Sequence, residues 1–314
     1  MKQRNVRIDI SSDKIQSRMK KMTENDKATS ILASPVFIVG AARSGTTWLQ
    51  RLLVEHSDVT GGQESEFFLY FSKCLNVFDN ESKAQRKLGL STYWNEADFF
   101  EAIMTLWAGT FNGMLKIKPG ASILTEKTPS HALHMLTILK FLPKARFIHI
   151  IRDSRACVAS MRAAEKSWGK SWAPKSVRKA SIKWRKSVIA ATKIGRKLPT
   201  TKYIEVYYED LLCNSKEELA RIYNFLEIDY DNDLLEEIIS KQNISNQKKF
   251  KGTGLKDYKG IEIKEPDGFI RKGKSDSWKE ELNIYQKLVV WFYTAHTMRE
   301  CRYDWNGRMN FVKE

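Results

Sequence analysis

The stretch Phe37–Gln50, FIVGAARSGTTWLQ, restricts this chain more than any other feature. An apolar run enters a turn flanked by Gly40 and Gly45. It leaves through a segment with Leu49, Leu52 and Leu53 at helical spacing. Strand, glycine loop and helix in that order make an anion-binding loop, because glycines let successive N–H groups turn toward one anion and the helix adds its positive end. The glycine spacing and Thr47 fit the pattern G-x-x-x-x-G-K-[ST], but Thr46 stands in the lysine position. That lysine reaches the β- and γ-phosphates of a nucleoside triphosphate. Its loss disfavours ATP hydrolysis and kinase chemistry and leaves phosphate-type binding intact. A cation appears instead inside the loop, at Arg43.

The rest of the chain alternates short apolar runs with helical patterns. PVFIVG, SILTE, ARFIHIIRD and KYIEVYYEDLL read as strands. VTGGQESEFF reads as a glycine turn leaving the first helix. Helices are expected in TTWLQRLLVEHSD, in EADFFEAIMTLWAGTFNG ending near Gly113, in PSHALHMLTILKFLP, and in SRACVASMRAA with Ser154 as N-cap. A long basic helix follows from Pro174 to Pro199, then helices in SKEELARIYNFLEI, DNDLLEEIISK and Trp278–His296. This alternation predicts an α/β fold: one domain with a central parallel sheet of about five strands and helices on both faces. Residues 1–34 are expected to be a basic arm and 35–314 the domain. A Gly/Lys-rich loop over 242–277 is expected to lie near the site.

Composition limits the partners. With 53 Lys+Arg against 37 Asp+Glu the net charge is +16, which favours anionic ligands without choosing among nucleotide, acidic glycan, acidic peptide and nucleic acid. No nucleic-acid recognition motif accompanies the charge. The four cysteines, Cys74, Cys157, Cys213 and Cys301, form no C-x-x-C pair, so free thiols are expected rather than a zinc cluster. The first thirty residues lack a signal-peptide core, and no apolar run approaches the ~20 residues of a membrane span. A cytoplasmic setting follows as the expectation, with a lumenal fragment as the alternative.

A second phosphate-binding element is visible in FIHIIRDSRACVASM. Arg152 ends a strand, where α/β sheets bind ligands, and Arg suits bidentate phosphate binding. Ser160 follows eight residues later. A loop without that lysine but with Arg43 before SGTTW, together with this pair, resembles the sulfotransferases that use 3′-phosphoadenosine 5′-phosphosulfate (PAPS). The resemblance spans about residues 35 to 285 and involves no metal. It implies that Arg43, Ser44, Gly45, Thr46 and Thr47 grip the 5′-phosphosulfate, and that Arg152 and Ser160 bind the 3′-phosphate. It also implies that Trp48 and Tyr208, the latter in YYEDLL, contact the adenine. Ser154 replaces a proline usual in that family. Arg271, Lys272 and Gly273, with Trp278 and Lys279, match a further 3′-phosphate motif, although Asp276 replaces its second glycine.

Sulfuryl transfer needs a held donor, a cation near the leaving oxygen and a base for the acceptor hydroxyl. The histidine base of the cytosolic branch is replaced here by Pro129. The strings ESEFF and EKTP are similar to the glycan branch. They imply Glu64 as base, with Glu66 and His131 in reserve, and Lys127 and Arg43 as charge-stabilising catalytic residues. His134 and His149 read as structural. The expected acceptor is a hydroxyl on a carbohydrate, with an acidic carbohydrate among the candidates. Protein tyrosine and small alcohols or phenols are the alternatives, and a kinase or a polyanion-binding module stand behind those.

Overall fold

The computed structural model describes residues 26–75, 92–243, 252–257, 259–269 and 274–308. Arg271–Gly273, Cys74's side chain and most of the expected basic arm lie outside the described residues. The last part of that arm is helix α1, Asp26–Ala33, whose Ile31, Leu32 and Ala33 are buried. The Trp107 indole donates to the Leu32 carbonyl at 2.9 Å.

Five strands form one fully parallel sheet: β1 Val36–Gly40, β2 Val59–Gly61, β3 Ile123–Lys127, β4 Arg146–Ile151 and β5 Tyr203–Tyr207, in spatial order β2-β3-β1-β4-β5. Side chains alternate across it. Phe37, Val39, Leu124 and Phe147 pack on one face against α3 (Phe67–Leu75), α4 (Glu96–Ile117) and α5 (Met135–Phe141). Val36, Ile38, Ile148, Ile150 and Val206 pack on the other, against α2 (Thr46–Val54), then α8 (Tyr208–Cys213), α9 (Ser215–Leu226) and α10 (Asn232–Lys241). A third cluster joins Ile151 to α6 (Ser154–Glu165), α7 (Val177–Gly195), α11 (Trp278–Glu281) and α12 (Ile284–Glu300) around Trp184. The expected sheet and its two covered faces are thus present.

The differences are local. Val59–Gly61 is the edge strand β2, not a turn; three residues are too few to show alternation. Helix α4 runs through Gly113 to Ile117, because Leu115 is still buried beyond the glycine. The segment after Pro129 starts as a 3₁₀ turn, Pro129–Leu133, before α5. The N-cap of α6 is Asp153, whose carboxylate accepts from the Arg155 N–H at 2.8 Å; Ser154 is the first helical residue. The 242–277 segment contains an antiparallel hairpin of β6 (Gly252–Lys256) and β7 (Glu262–Lys264). The final helix is divided into α11 and α12, the second opened by an Asn283–Gln286 capping box. Among the described residues no helix is long and apolar enough to cross a membrane, and Cys157, Cys213 and Cys301 are free thiols.

Candidate active site

Every strand of the sheet delivers a residue to one cleft at its carboxyl end. After β1 comes the loop to Arg43–Trp48, after β2 Glu64, at the end of β3 Lys127, after β4 Arg152, and after β5 Tyr208. The strand order reverses beside β1, and such a switch point opens a crevice in α/β sheets. The cleft has a volume of about 1000 Å³.

On one side lies the loop. Arg43 has φ 70° and Gly45 φ 105°, so the backbone turns left-handed on both sides of Ser44. At Gly45 a Cβ would lie 2.6 Å from the Tyr208 ring, so the glycine serves both the turn and close packing. Gly45→Ala is therefore expected to displace Tyr208 and to remove stabilisation by 3′-phosphoadenosine 5′-phosphate (PAP) in a thermal-shift measurement. An unchanged shift would show that the loop tolerates the methyl. The hydroxyl of Ser44 is fully buried and has no hydrogen-bond partner among the described residues.

Arg43 does not point across the loop. Its Nε donates to Ser160 Oγ at 3.0 Å and a terminal nitrogen to the Phe269 carbonyl at 2.6 Å, with the guanidinium 4.6 Å from the Phe269 ring. Arg152 lies beside it, 3.9 Å over the ring of Tyr208, and donates to the carbonyls of Arg43 and Lys274. Its Nε is buried without a hydrogen-bond partner among the described residues. The structure thus brings Arg43, Arg152 and Ser160 together as one cationic group. Trp48 meets Tyr208 edge-on, with centroids 5.5 Å apart, and donates to the Gln242 carbonyl. The two rings border the cleft beside the loop. Burial raises the Tyr208 phenol above its ordinary range, so it stays a neutral ring.

Across the cleft Lys127 Nζ donates to Glu64 Oε1 at 2.8 Å; Lys127 is 1% and Glu64 40% exposed. A buried ammonium and a half-open carboxylate therefore sit together at the mouth of the site. Glu66 also lines the cleft. His131 does not: it is fully buried, with Nδ1 against Glu126 Oε2 at 2.7 Å and Nε2 accepting from the Phe68 N–H at 3.2 Å. Both ring nitrogens are committed, which removes it as a reserve base. His149 is buried in the sheet and bonded to the Tyr203 hydroxyl, and burial pushes its imidazole down to about 4.

Several lining residues carried no signal in the sequence. Trp168, Trp172, Leu69, Leu133 and Ile182 make an apolar wall, and Trp168 stacks near Phe269 with centroids 5.1 Å apart. Lys179, Lys183 and Lys186 face the same space from α7. Their i, i+4, i+7 spacing was readable, but not which way that face would turn. Burial lowers the Lys183 ammonium, and Glu64 opposes that shift. The hairpin is tied to α2 by the buried Arg51, which meets Glu265 at 3.2 Å. Among the described residues no cluster of His, Cys, Asp or Glu is arranged to hold a metal ion.

Known proteins resemble this chain in sequence and in fold. The profile described as the sulfotransferase family matches residues 35–232. A putative protein-tyrosine sulfotransferase of Caenorhabditis briggsae is 28% identical over 226 residues, covering 70% of this chain and 76% of that protein. The protein-tyrosine sulfotransferases of Drosophila melanogaster and Danio rerio are 27% and 29% identical, each over 66% of this chain, which spans 41% and 57% of their lengths. In fold, the chain is similar to a mouse sulfotransferase complexed with PAP, at TM-score 0.55 and 16% identity, covering 89% of this chain and 91% of that one. It is also similar to the sulfotransferase domain of the curacin biosynthetic pathway, at TM-score 0.54 and 16% identity, covering 84% and 97%.

Proposed function

This chain belongs to the sulfotransferase family, and we propose that it moves the sulfuryl group of PAPS to the phenolic hydroxyl of a tyrosyl residue in an acidic peptide. The convergence of all five strand ends on one cleft, with a cationic loop side facing a Glu64–Lys127 pair, is the observation that carries this proposal.

Two buried polar atoms with no hydrogen-bond partner among the described residues, Ser44 Oγ and Arg152 Nε, fit a phosphorylated ligand at the loop. In this reading Ser44, Gly45, Thr46 and Thr47, at the positive end of α2, hold the 5′ end of the donor. Arg152, Ser160 and Arg43 hold its 3′-phosphate, and Trp48 and Tyr208 border the adenine. The contact of Arg43 with Ser160 supports a binding role for this arginine rather than the charge-stabilising role first expected of it. Arg271, Lys272 and Gly273 belong to the proposal on their motif alone. Bound there, the donor supplies an activated sulfuryl group with a phosphate as leaving group. Glu64 removes the proton of the acceptor hydroxyl. Lys127 holds that carboxylate in place through the 2.8 Å contact, and offers positive charge where negative charge develops.

The acceptor is the finer question. The ESEFF and EKTP strings suggested carbohydrate, but the curated relatives are named for protein tyrosine. The apolar wall of Trp168, Trp172 and Leu133 suits an aromatic ring better than a sugar's hydroxyls, and Lys179, Lys183 and Lys186 suit acidic flanking residues. Incubation with labelled PAPS and, separately, an acidic tyrosyl peptide, a heparan-type oligosaccharide and a simple phenol tests this. Label is expected on the peptide. Transfer to the oligosaccharide alone would return the assignment to carbohydrate, and absence of PAP stabilisation would remove the donor.

A further inference from the structure

Beneath the Glu64 turn lies a buried polar cluster that the proposed transfer chemistry does not use. Helix α3 starts at Phe67, and the first N–H groups of any helix need partners from outside it. Four consecutive amides find them here. Ser65 N donates to Glu126 Oε1 at 3.3 Å, Glu66 N to Thr128 Oγ1 at 3.1 Å, Phe67 N to Ser65 Oγ at 3.2 Å, and Phe68 N to His131 Nε2 at 3.2 Å.

The partners in turn converge on Glu126, which is 1% exposed. Ser65 Oγ and Thr128 Oγ1 each donate to its Oε1 at 2.7 Å, and His131 Nδ1 lies 2.7 Å from Oε2. Because the Phe68 N–H donates to Nε2, that nitrogen carries no proton. The proton is on Nδ1 and is donated to Glu126, so the carboxylate selects the tautomer that the helix start requires. Burial alone would raise the Glu126 carboxyl, but His131, Thr128 and Ser65 together hold it below the ordinary carboxylate range. The rings of Phe37 and Phe68, each 5.7 Å from the imidazole, seal the cluster. The end of β3 thus faces two ways: Lys127 lines the cleft, while Glu126 and Thr128 grip the turn. Glu66 sits at φ 51° within that turn, a left-handed backbone that L-residues seldom adopt, and its amide is held there by Thr128 Oγ1.

We propose that Glu126, Thr128 and His131 are positioning residues: they fix residues 64–68 so that the Glu64 carboxylate stays against Lys127 and faces the acceptor. This rests on Glu64 as the base. The test uses the full chain with Thr128→Val, which deletes the hydroxyl that accepts from Glu66 N and donates to Glu126, and Ser65→Ala, which deletes only the Ser65 hydroxyl. Each is measured alone and on a Glu64→Gln background. Thr128→Val is expected to lower kcat about ten- to a hundred-fold, Ser65→Ala somewhat less. PAP affinity should stay within about two-fold, and amide exchange over residues 65–68 should accelerate. On the Glu64→Gln background the same changes are expected to leave the residual rate unchanged, because coupled residues are not additive.

If Thr128→Val does not fold, Ser65→Ala decides. A folded variant with near-normal kcat, beside an inactive Glu64→Gln, overturns the positioning role and leaves the base standing. An equal loss on the Glu64→Gln background shows that the cluster does not act through Glu64, and also overturns it. Full turnover by Glu64→Gln alone overturns the base and this inference together.

Discussion

Glu64→Gln is expected to lower kcat by about three orders of magnitude while PAP binds almost as before. A positioned general base contributes on the order of 10²- to 10⁴-fold, and Gln keeps the side-chain size without the capacity to take a proton. Lys127 would retain an acceptor in the Gln carbonyl, in place of the 2.8 Å contact with Glu64, so the buried ammonium is not left bare. The donor side, formed by the loop, Arg152 and Tyr208, is untouched. Single-turnover measurement with labelled donor, beside PAP calorimetry, separates the two effects. Equal loss of turnover and PAP affinity would show that Glu64 serves the donor pocket instead. Undiminished turnover would move the base to Glu66, the other carboxylate lining that side of the cleft.

Arg152→Ala is expected to weaken PAP binding by about two orders of magnitude and to remove its thermal shift. Hydrogen bonds to a charged group contribute roughly 1.5–3 kcal/mol each, and the planar guanidinium can present two to one phosphate. The proposed role fits its surroundings: the guanidinium lies 3.9 Å from the centre of the Tyr208 ring, and its Nε is buried with no acceptor among the described residues. Arg152→Lys should recover only part of the loss, since an ammonium neither forks nor stacks in the same way. Calorimetric titration with PAP reads both variants. Wild-type affinity in Arg152→Ala would place the 3′-phosphate elsewhere, with Arg43 the first alternative because it already contacts Ser160.

What could be read from the sequence was what is local along the chain. The loop from Gly40 to Thr47 is contiguous, and Arg152 and Tyr208 each stand at the end of an apolar run, so a parallel sheet was enough to bring them together. The proposed acceptor wall was hidden because Trp168, Leu133 and Phe269 are far apart in sequence and reach one cleft only in the fold, from the segment after α6, the 3₁₀ turn after β3 and the segment after the hairpin. β2 was missed because three residues beside two glycines read as a turn. Arg43 was assigned from its place in the loop, but its side chain follows long-range partners, Ser160 and the Phe269 carbonyl, which no spacing reveals. His131 was a candidate base because a histidine close behind EKTP looks chemical. Burial and two committed nitrogens make it a structural partner of Glu126 instead.

The five strand ends that build the cleft also divide it into parts with unequal freedom to vary. Much of the proposed donor side is borne on the loop after β1, an interior strand whose last residue, Gly40, packs so closely that an added Cβ would come within 2.5 Å of the Ile150 carbonyl. Change there disturbs the sheet itself. The proposed acceptor wall is borne largely on α7 and the segment before it, where Lys179, Ile182, Lys183, Trp168 and Trp172 border the cleft without belonging to any strand, while Leu69 and Leu133 join it from α3 and the 3₁₀ turn. A descendant of this chain could therefore acquire a new acceptor by substitutions along one helix and its approach, keeping the same donor throughout.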